Sequence, residues 1–380
     1  MNIRSLLTVV FIAFISCNNQ KDLNRSIVIN NCETVTDRYY LEDITRSWKA
    51  VYLDNSSINT MIGNVKQVLC DDSLIFVSHK SSSVSRDEKI YIFNHNGKFV
   101  RQISNIGRAK NEYISIGAWT LDTYNKELVI FDSFDCIIKR YNYNGEFLGS
   151  SQLDYSLQQI SSIMTLNKDL YLFKLSITDK VSDDYILFNH KSGTLEEIFT
   201  KRNIYTEDFI LTRYNCHINP GNKYKNIKRD YDNTIFTIDS CCNFTSNDYN
   251  LDFMPKANPK DLKKLSQNSK DRPEDHIISM YDLSDYILLH TFSGYYFIDK
   301  KSSKITQYIG NGRVIDDIVP ATKNKVGIHN NNLIAVIYPD FAESVLNYVR
   351  ETQREEVIEF YKKAAKNENA ALVFYEINMD

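Results

Sequence analysis

The middle of the chain repeats one phrase, and that repeat limits the fold more than any other feature. "DDSLIFVSHK" leads into "EKIYIFNHNGKFVRQIS". "NKELVIFDSFDCIIKRYNYNGEFLGSS" restates it, as does "NKDLYLFKLS" with "DYILFNHKSGTLEEIFT". Looser copies follow in "YDNTIFTIDSCCNFTSNDYNLDF", "LSDYILLHTFSGYYFIDKKSSKITQYIG" and "NNNLIAVIYP". Each copy opens on a polar turn and runs into a strand rich in Ile, Val, Leu and Phe. A second strand often follows, then a tight turn such as Asn96-Gly97 or Asn144-Gly145, then a third. Asn-Gly between two such strands signals a hairpin, because both residues tolerate positive φ. The units begin near Asp72, Lys126, Lys168, Asp232, Ser284 and Asn330, a loose spacing of about 50 residues. One small sheet cannot bury both of its apolar faces alone, so the copies must pack against each other around an axis. The expected fold is all-β, a six-bladed β-propeller over residues 46–380. The 25 Tyr and 20 Phe fit half-exposed strands, where a ring packs while a hydroxyl stays wet.

The two ends of the repeat region imply how the ring closes. The last unit has strands near 324–328, 332–338 and 371–377 and lacks one. "WKAVYLD", residues 48–54, is a strand with no unit of its own. It is expected to pair into the last blade and tie the ends together, which also covers two free edges. Two segments break the strand pattern. "NPKDLKKLS", residues 258–266, predicts a short helix with Asn258 as N-cap and Pro259 at the first helical position. Residues 340–366 predict a C-terminal helix inserted before the final strand. Asp340 and Glu343 supply its capping-box pattern, and Phe341, Val345, Val349, Val357, Tyr361 and Ala365 its inner row.

Ahead of the repeats, Arg4 precedes an apolar run of about ten residues, the pattern of a secretory signal. A bilayer span needs roughly twenty. Phe14-Ile15-Ser16-Cys17 resembles a bacterial lipobox, with Phe14 where leucine is usual. Residues 1–16 are therefore expected to be a lipoprotein signal peptide, and Cys17 the lipid-bearing new N-terminus. Residues 17–45 become a tether and lead-in, with residues 18–27 a solvated tether. The other cysteines, Cys32, Cys70, Cys136, Cys216, Cys241 and Cys242, form no CxxC pair, which gives no support to a zinc ribbon. Cys70 and Cys136 fall in strand-like segments and read as buried thiols. Adjacent Cys241 and Cys242 point to opposite faces of a strand, so neither is a natural partner for the other.

A likeness emerges from Leu41–Asp54 with "MIGNV", "NGKFVRQISNIGRAKNEYISI", "LVIFDSFDCIIKRYNYNGEF" and "NENAALVFYEI". Across residues 40–380 the chain resembles the uncharacterised six-bladed β-propeller lipoproteins of gut Bacteroidetes, which are related in fold to NHL-type propellers. That family often carries a Gly-Pro-Gly-Glu-Tyr-like loop after its first blade. Here the loop reads Arg108-Ala109-Lys110-Asn111-Glu112-Tyr113, keeping Glu and Tyr and losing the glycines and proline. The resemblance implies a fold and an envelope location rather than an activity.

No GxSxG, HExxH, phosphate loop or dinucleotide fingerprint is present, so no cofactor and no metal are expected. The formal charge is -3 with no basic patch, which argues against nucleic acid. Arg108, Glu112 and Tyr113, between the first two units, are candidates for a ligand-facing cluster. His276, in "EDHIISM", and the pair Asp316-Asp317, in "VIDDIV", are further binding candidates near inner strands; His217 sits in similar surroundings. His95 and His190 adjoin hairpin turns and are expected to face solvent. Asp132 and Asp299 end strands and are expected to bond turn amides. The leading expectation is a monomeric, membrane-anchored, non-catalytic binding or scaffold propeller for a glycan, peptide or envelope protein. The alternatives are a lyase or hydrolase working in the central channel, or a structural subunit of an envelope complex.

Overall fold

The computed structural model describes residues 27–28, 32–33, 44–56, 60–80, 88–154, 157, 159–175, 185–199, 215–229, 234–245, 249–251, 277–291, 295–308, 325–347 and 355–377. The expected signal peptide at 1–16, Cys17 and the expected helix at 258–266 lie outside them, as do His276, Asp316 and Asp317. The chain is all-β with few helices, and its sheets stand in a propeller-like arrangement. Two two-residue strands come first, β1 (Ile27–Val28) and β2 (Cys32–Glu33), then β3 (Thr45–Tyr52). The first meander is β4 (Val65–Cys70), β5 (Leu74–His79), β6 (Lys89–Asn94) and β7 (Phe99–Ile103). The second is β8 (Ile116–Asp122), β9 (Glu127–Asp132), β10 (Ile137–Asn142) and β11 (Phe147–Gln152). The third is β12 (Ile160–Thr165), β13 (Leu170–Leu175), β14 (Tyr185–Asn189) and β15 (Thr194–Glu197). Next come β16 (Asn215–Ile218), β17 (Lys225–Lys228), β18 (Thr234–Ile238) and β19 (Tyr249–Asn250). Then follow β20 (Ile277–Asp282), β21 (Tyr286–Thr291), β22 (Tyr295–Asp299) and β23 (Ile305–Tyr308). The chain ends with β24 (Lys325–His329), β25 (Asn332–Ile337), helices α1 (Pro339–Leu346) and α2 (Glu355–Lys366), and β26 (Ala371–Ile377).

Burial falls from the inside of a meander to its outside. Leu128 to Asp132 of β9 are all buried, while β11 alternates half-buried with exposed residues. This gradient is what a sheet standing radially between two neighbours requires. Between the second and third meanders, Val129, Phe131 and Ile138 pack with Ile163, Tyr171 and Phe173 in one apolar cluster.

Four blades are delimited, not the six expected. The hydrogen-bonded strands form five sheets, and the shortfall has visible causes. The first meander and the closing strands β24, β25, β26 and β3 run together into one eight-stranded sheet. Among the described residues, the register pair joining them is Gly327 with Val68. A Cβ at Gly327 would lie 2.1 Å from the Val68 carbonyl oxygen, so only glycine lets the two backbones meet. In the fourth unit β16 leaves its own meander and pairs in parallel with β20.

The closure expected from the sequence is present. β3 pairs antiparallel with β26 from Thr45–Ile377 to Tyr52–Ala371. Buried Asn369 fastens the joint: its Nδ2 donates to the carbonyls of Asp54 (2.7 Å) and Thr60 (2.8 Å). Its Oδ1 accepts the amides of Ile62 (3.0 Å) and Ala370 (2.8 Å). The lead-in is more than a tether. β1 lies parallel to β19 and β2 parallel to β23, each at the end of its sheet, so the chain covers two outer edges before closing a third blade.

The inserted helix is two helices, and its capping box does not form. Pro339 takes the first helical turn, which makes Tyr338 the N-cap with no side-chain cap bond. Ala342 faces inward and Phe341 is 41% exposed, one step off the expected row. In α2, Val357, Phe360, Tyr361 and Ala364 are buried against the closing strands.

Candidate functional site

Three places in the fold hold side chains suited to chemistry or recognition. The first is the axis. Inner strands β4, β8, β12, β16 and β24, with β17, enclose a cavity of about 20 Å³. His217 lines it, its ring stacked on Tyr281 at 4.8 Å and 3°. Burial pushes the His217 pKa down to about 4, so the imidazole is neutral near pH 7. Lys225 is buried on the same wall, its ammonium donating to the carbonyls of Asn219 (3.1 Å) and Pro220 (2.7 Å). Burial lowers its pKa to about 8, with Asp282 opposing the shift. Among the described residues no group of three or more His, Cys, Asp or Glu is placed to hold a metal ion.

The second place is the loop between the first two meanders, the sequence-derived cluster. The structure separates its members. Tyr113 is fully buried, and its hydroxyl sits 3.0 Å from the Glu88 carbonyl and 3.2 Å from that of Ile103. Burial raises its pKa far above the ordinary tyrosine range. It is a core residue, its ring packed in one apolar cluster with Phe76, Ile92, Trp119 and Tyr141. Glu112 turns back on its own loop and accepts the Ala109 amide at 2.8 Å. Arg108 is exposed, with its guanidinium 6.0 Å from the Phe134 ring centroid.

The hairpin histidines also depart from expectation, both being half-buried. His95 Nε2 lies 2.9 Å from the Asp71 carbonyl, and His190 Nε2 lies 2.8 Å from that of Lys168. The two residues follow "FN" in their repeats and do the same structural job. Asp132 and Asp299 behave as expected. Asp132 accepts the amides of Ile114 (2.8 Å) and Ser115 (3.2 Å), and Asp299 that of Lys301 (2.8 Å). Cys70 and Cys136 are buried free thiols.

The third place is a groove of about 690 Å³ on the rim of the closing blade, between β3 and α2. Its size lies within the range of small-ligand sites. Trp48, Lys49, Ala50 and Tyr52 come from the strand, and Glu355, Glu356, Glu359, Phe360 and Lys363 from the helix. Trp48 meets Phe360 edge-on at 5.5 Å between centroids. The Lys363 ammonium lies 4.1 Å from the Tyr52 ring centroid. Burial, and next the Glu359 carboxylate, raise the Tyr52 pKa, so its hydroxyl keeps its proton. The floor is aromatic, and carboxylate acceptors and ammonium donors rim it together. Sequence reading took β3 only as a closing strand and α2 only for its inner face. The available signal was the polar row Glu355, Glu356, Glu359 and Lys363 at helical spacing.

The chain belongs to the family described as Domain of unknown function DUF4934, which matches residues 25–376. It is similar in fold to a Bacteroides fragilis NCTC 9343 protein designated as exported, with TM-score 0.65 and 14% identity. That likeness covers 91% of this chain and 98% of the other. A member of the DUF4221 family from Bacteroides vulgatus gives TM-score 0.54 and 10% identity, covering 88% of this chain and 97% of that one. No curated protein matches the chain.

Proposed function

We propose that the protein is a lipid-anchored binding propeller of the bacterial envelope that holds a glycan in the groove between β3 and α2. The observation carrying this reading is the groove's composition. Trp48 and Phe360 offer ring surface to the apolar face of a sugar, as aromatic side chains with a wet edge do. Glu355, Glu356 and Glu359 accept hydrogen bonds, while Lys49 and Lys363 donate them. A mixed rim of this kind suits a neutral, polyhydroxylated ligand better than a charged one. The Cys17 lipobox and the exported designation of the Bacteroides fragilis protein support the envelope location. In this reading the ring has six positions, the eight-stranded sheet being two blades in contact at Gly327 and Val68. Exposed Arg108 and Phe134 offer a second, smaller contact surface. The axial cavity lined by the described residues is on the scale of a water molecule rather than a substrate.

A glycan array probed with the full chain carrying Cys17→Ser tests the proposal. Binding to a defined set of glycans is expected, with Trp48→Ala weakening it at least about tenfold, in line with aromatic anchors at other sites. Near-UV circular dichroism checks that the variant stays folded. An array without any bound glycan, or equal binding by folded Trp48→Ala, contradicts the reading.

A further inference from the structure

We propose that the axis of the ring contains a built water site, with His217 Nδ1 as its principal protein partner. Nδ1 is sealed from solvent and has no hydrogen-bond partner among the described residues. A buried polar nitrogen in that state costs free energy that one water can recover. The ring's face is stacked on Tyr281 at 4.8 Å and 3°, which fixes the plane in which its nitrogens can find a partner. The adjoining cavity, about 20 Å³, has the room one ordered water needs.

The wall supplies the other partners such a water requires. Gln67, Thr120 and Ser162 bring polar side chains from three different inner strands. The Lys225 ammonium has three N–H groups and places two on Asn219 and Pro220 carbonyls, leaving one. Asp282 lies close enough to favour the charged Lys225. A water here hydrogen-bonds strands from several units at once, so the axis is a hydrated plug rather than a passage.

The test uses the full chain carrying Cys17→Ser, labelled with ¹⁵N-histidine, and a crystal soaked in bromide. The expected results are a persistent water cross-peak to the His217 imidazole and a density peak roughly 2.7–3.2 Å from Nδ1. That peak should carry no bromide anomalous signal. His217→Phe, confirmed as folded by near-UV circular dichroism, should lose the density peak, and His217→Gln should keep it. A dry cavity, a bromide peak beside Nδ1, or a density peak unchanged in folded His217→Phe overturns the proposal. If His217→Phe fails to fold, the wild-type cross-peak and the bromide soak decide the matter without it.

Discussion

A side chain's neighbours, more than its type, decide its role in this molecule. Arg108, Glu112 and Tyr113 stand within six residues of one another, yet the first meets solvent and the last meets none. Tyr113→Phe strips a buried hydroxyl from two carbonyls and should lower stability by about 1 kcal/mol. Arg108→Ala should stay within about 0.5 kcal/mol, and urea denaturation separates the two. His217 carries a pH signature. Its folded pKa, about 4, lies below the unfolded value of 6.5, so the unfolded chain binds the extra proton between them. Its contribution is complete above pH 6.5 and is lost as pH falls toward about 4. His290, pushed down to about 4 by burial and then by Lys325, adds to the loss over the same window. Thermal melts from pH 7.5 to 4 should show this decline, and His217→Phe should flatten it; an unchanged slope would count against the buried neutral imidazole. Asp71 acts lower on the scale. Burial opposes its ionisation, but the Ser73 and Leu74 amides and Lys126 outweigh it and hold the pKa below the usual carboxylate value. Its stabilisation is present above about pH 4 and fades only in stronger acid.

At the scale of elements, the repeats were the most legible part of the sequence. The Asn-Gly turns at Gly97 and Gly145 both adopt φ +81°, and Asn94 and Asn142 accept the same pair of turn amides. Local chemistry of this kind is written in adjacent residues. The strand at residues 48–54 was legible as a closing element because an unpaired strand is costly. The α1 cap was misread because Pro339 outranks Asp340 in setting where a helix starts. The rim groove was not legible, since it joins residues about 300 positions apart that meet only after closure. Asn369 shows the same distance effect, linking residues 54, 60 and 62 to the last strand. Asn369→Ala removes four hydrogen bonds and leaves buried amide and carbonyl groups without partners. A loss of about 3 kcal/mol in chemical denaturation is expected. A loss below about 1 kcal/mol would mean that the joint is held elsewhere.

On the scale of the whole molecule, turns of successive units touch one another. Lys126 meets Asp71 at 3.3 Å, Asn125 donates to the Lys168 carbonyl at 2.9 Å, and Asn167 to that of Ser240 at 2.6 Å. Asn219 reaches Ser284 at 3.3 Å, and the Ser284 amide donates to the Asn330 carbonyl at 3.2 Å. His329 and His95, with centroids 5.9 Å apart, carry the series from the last strands back to the first meander. β3 and Gly327 join the first strands to the last from two sides, and the groove lies on β3. Gly327→Ala should lower stability by about 2 kcal/mol, because backbone rather than a flexible side chain must move. The most direct measurement is native-state hydrogen exchange on the amides of Val51 and Lys49 in β3 and of Leu372 and Phe374 in β26. If β3 closes the ring, amides bonded across this pair exchange only with global unfolding and share its denaturant dependence. Fast, denaturant-independent exchange in β3 beside a protected β26 would show that the strand is an appendage and that the ring closes without it.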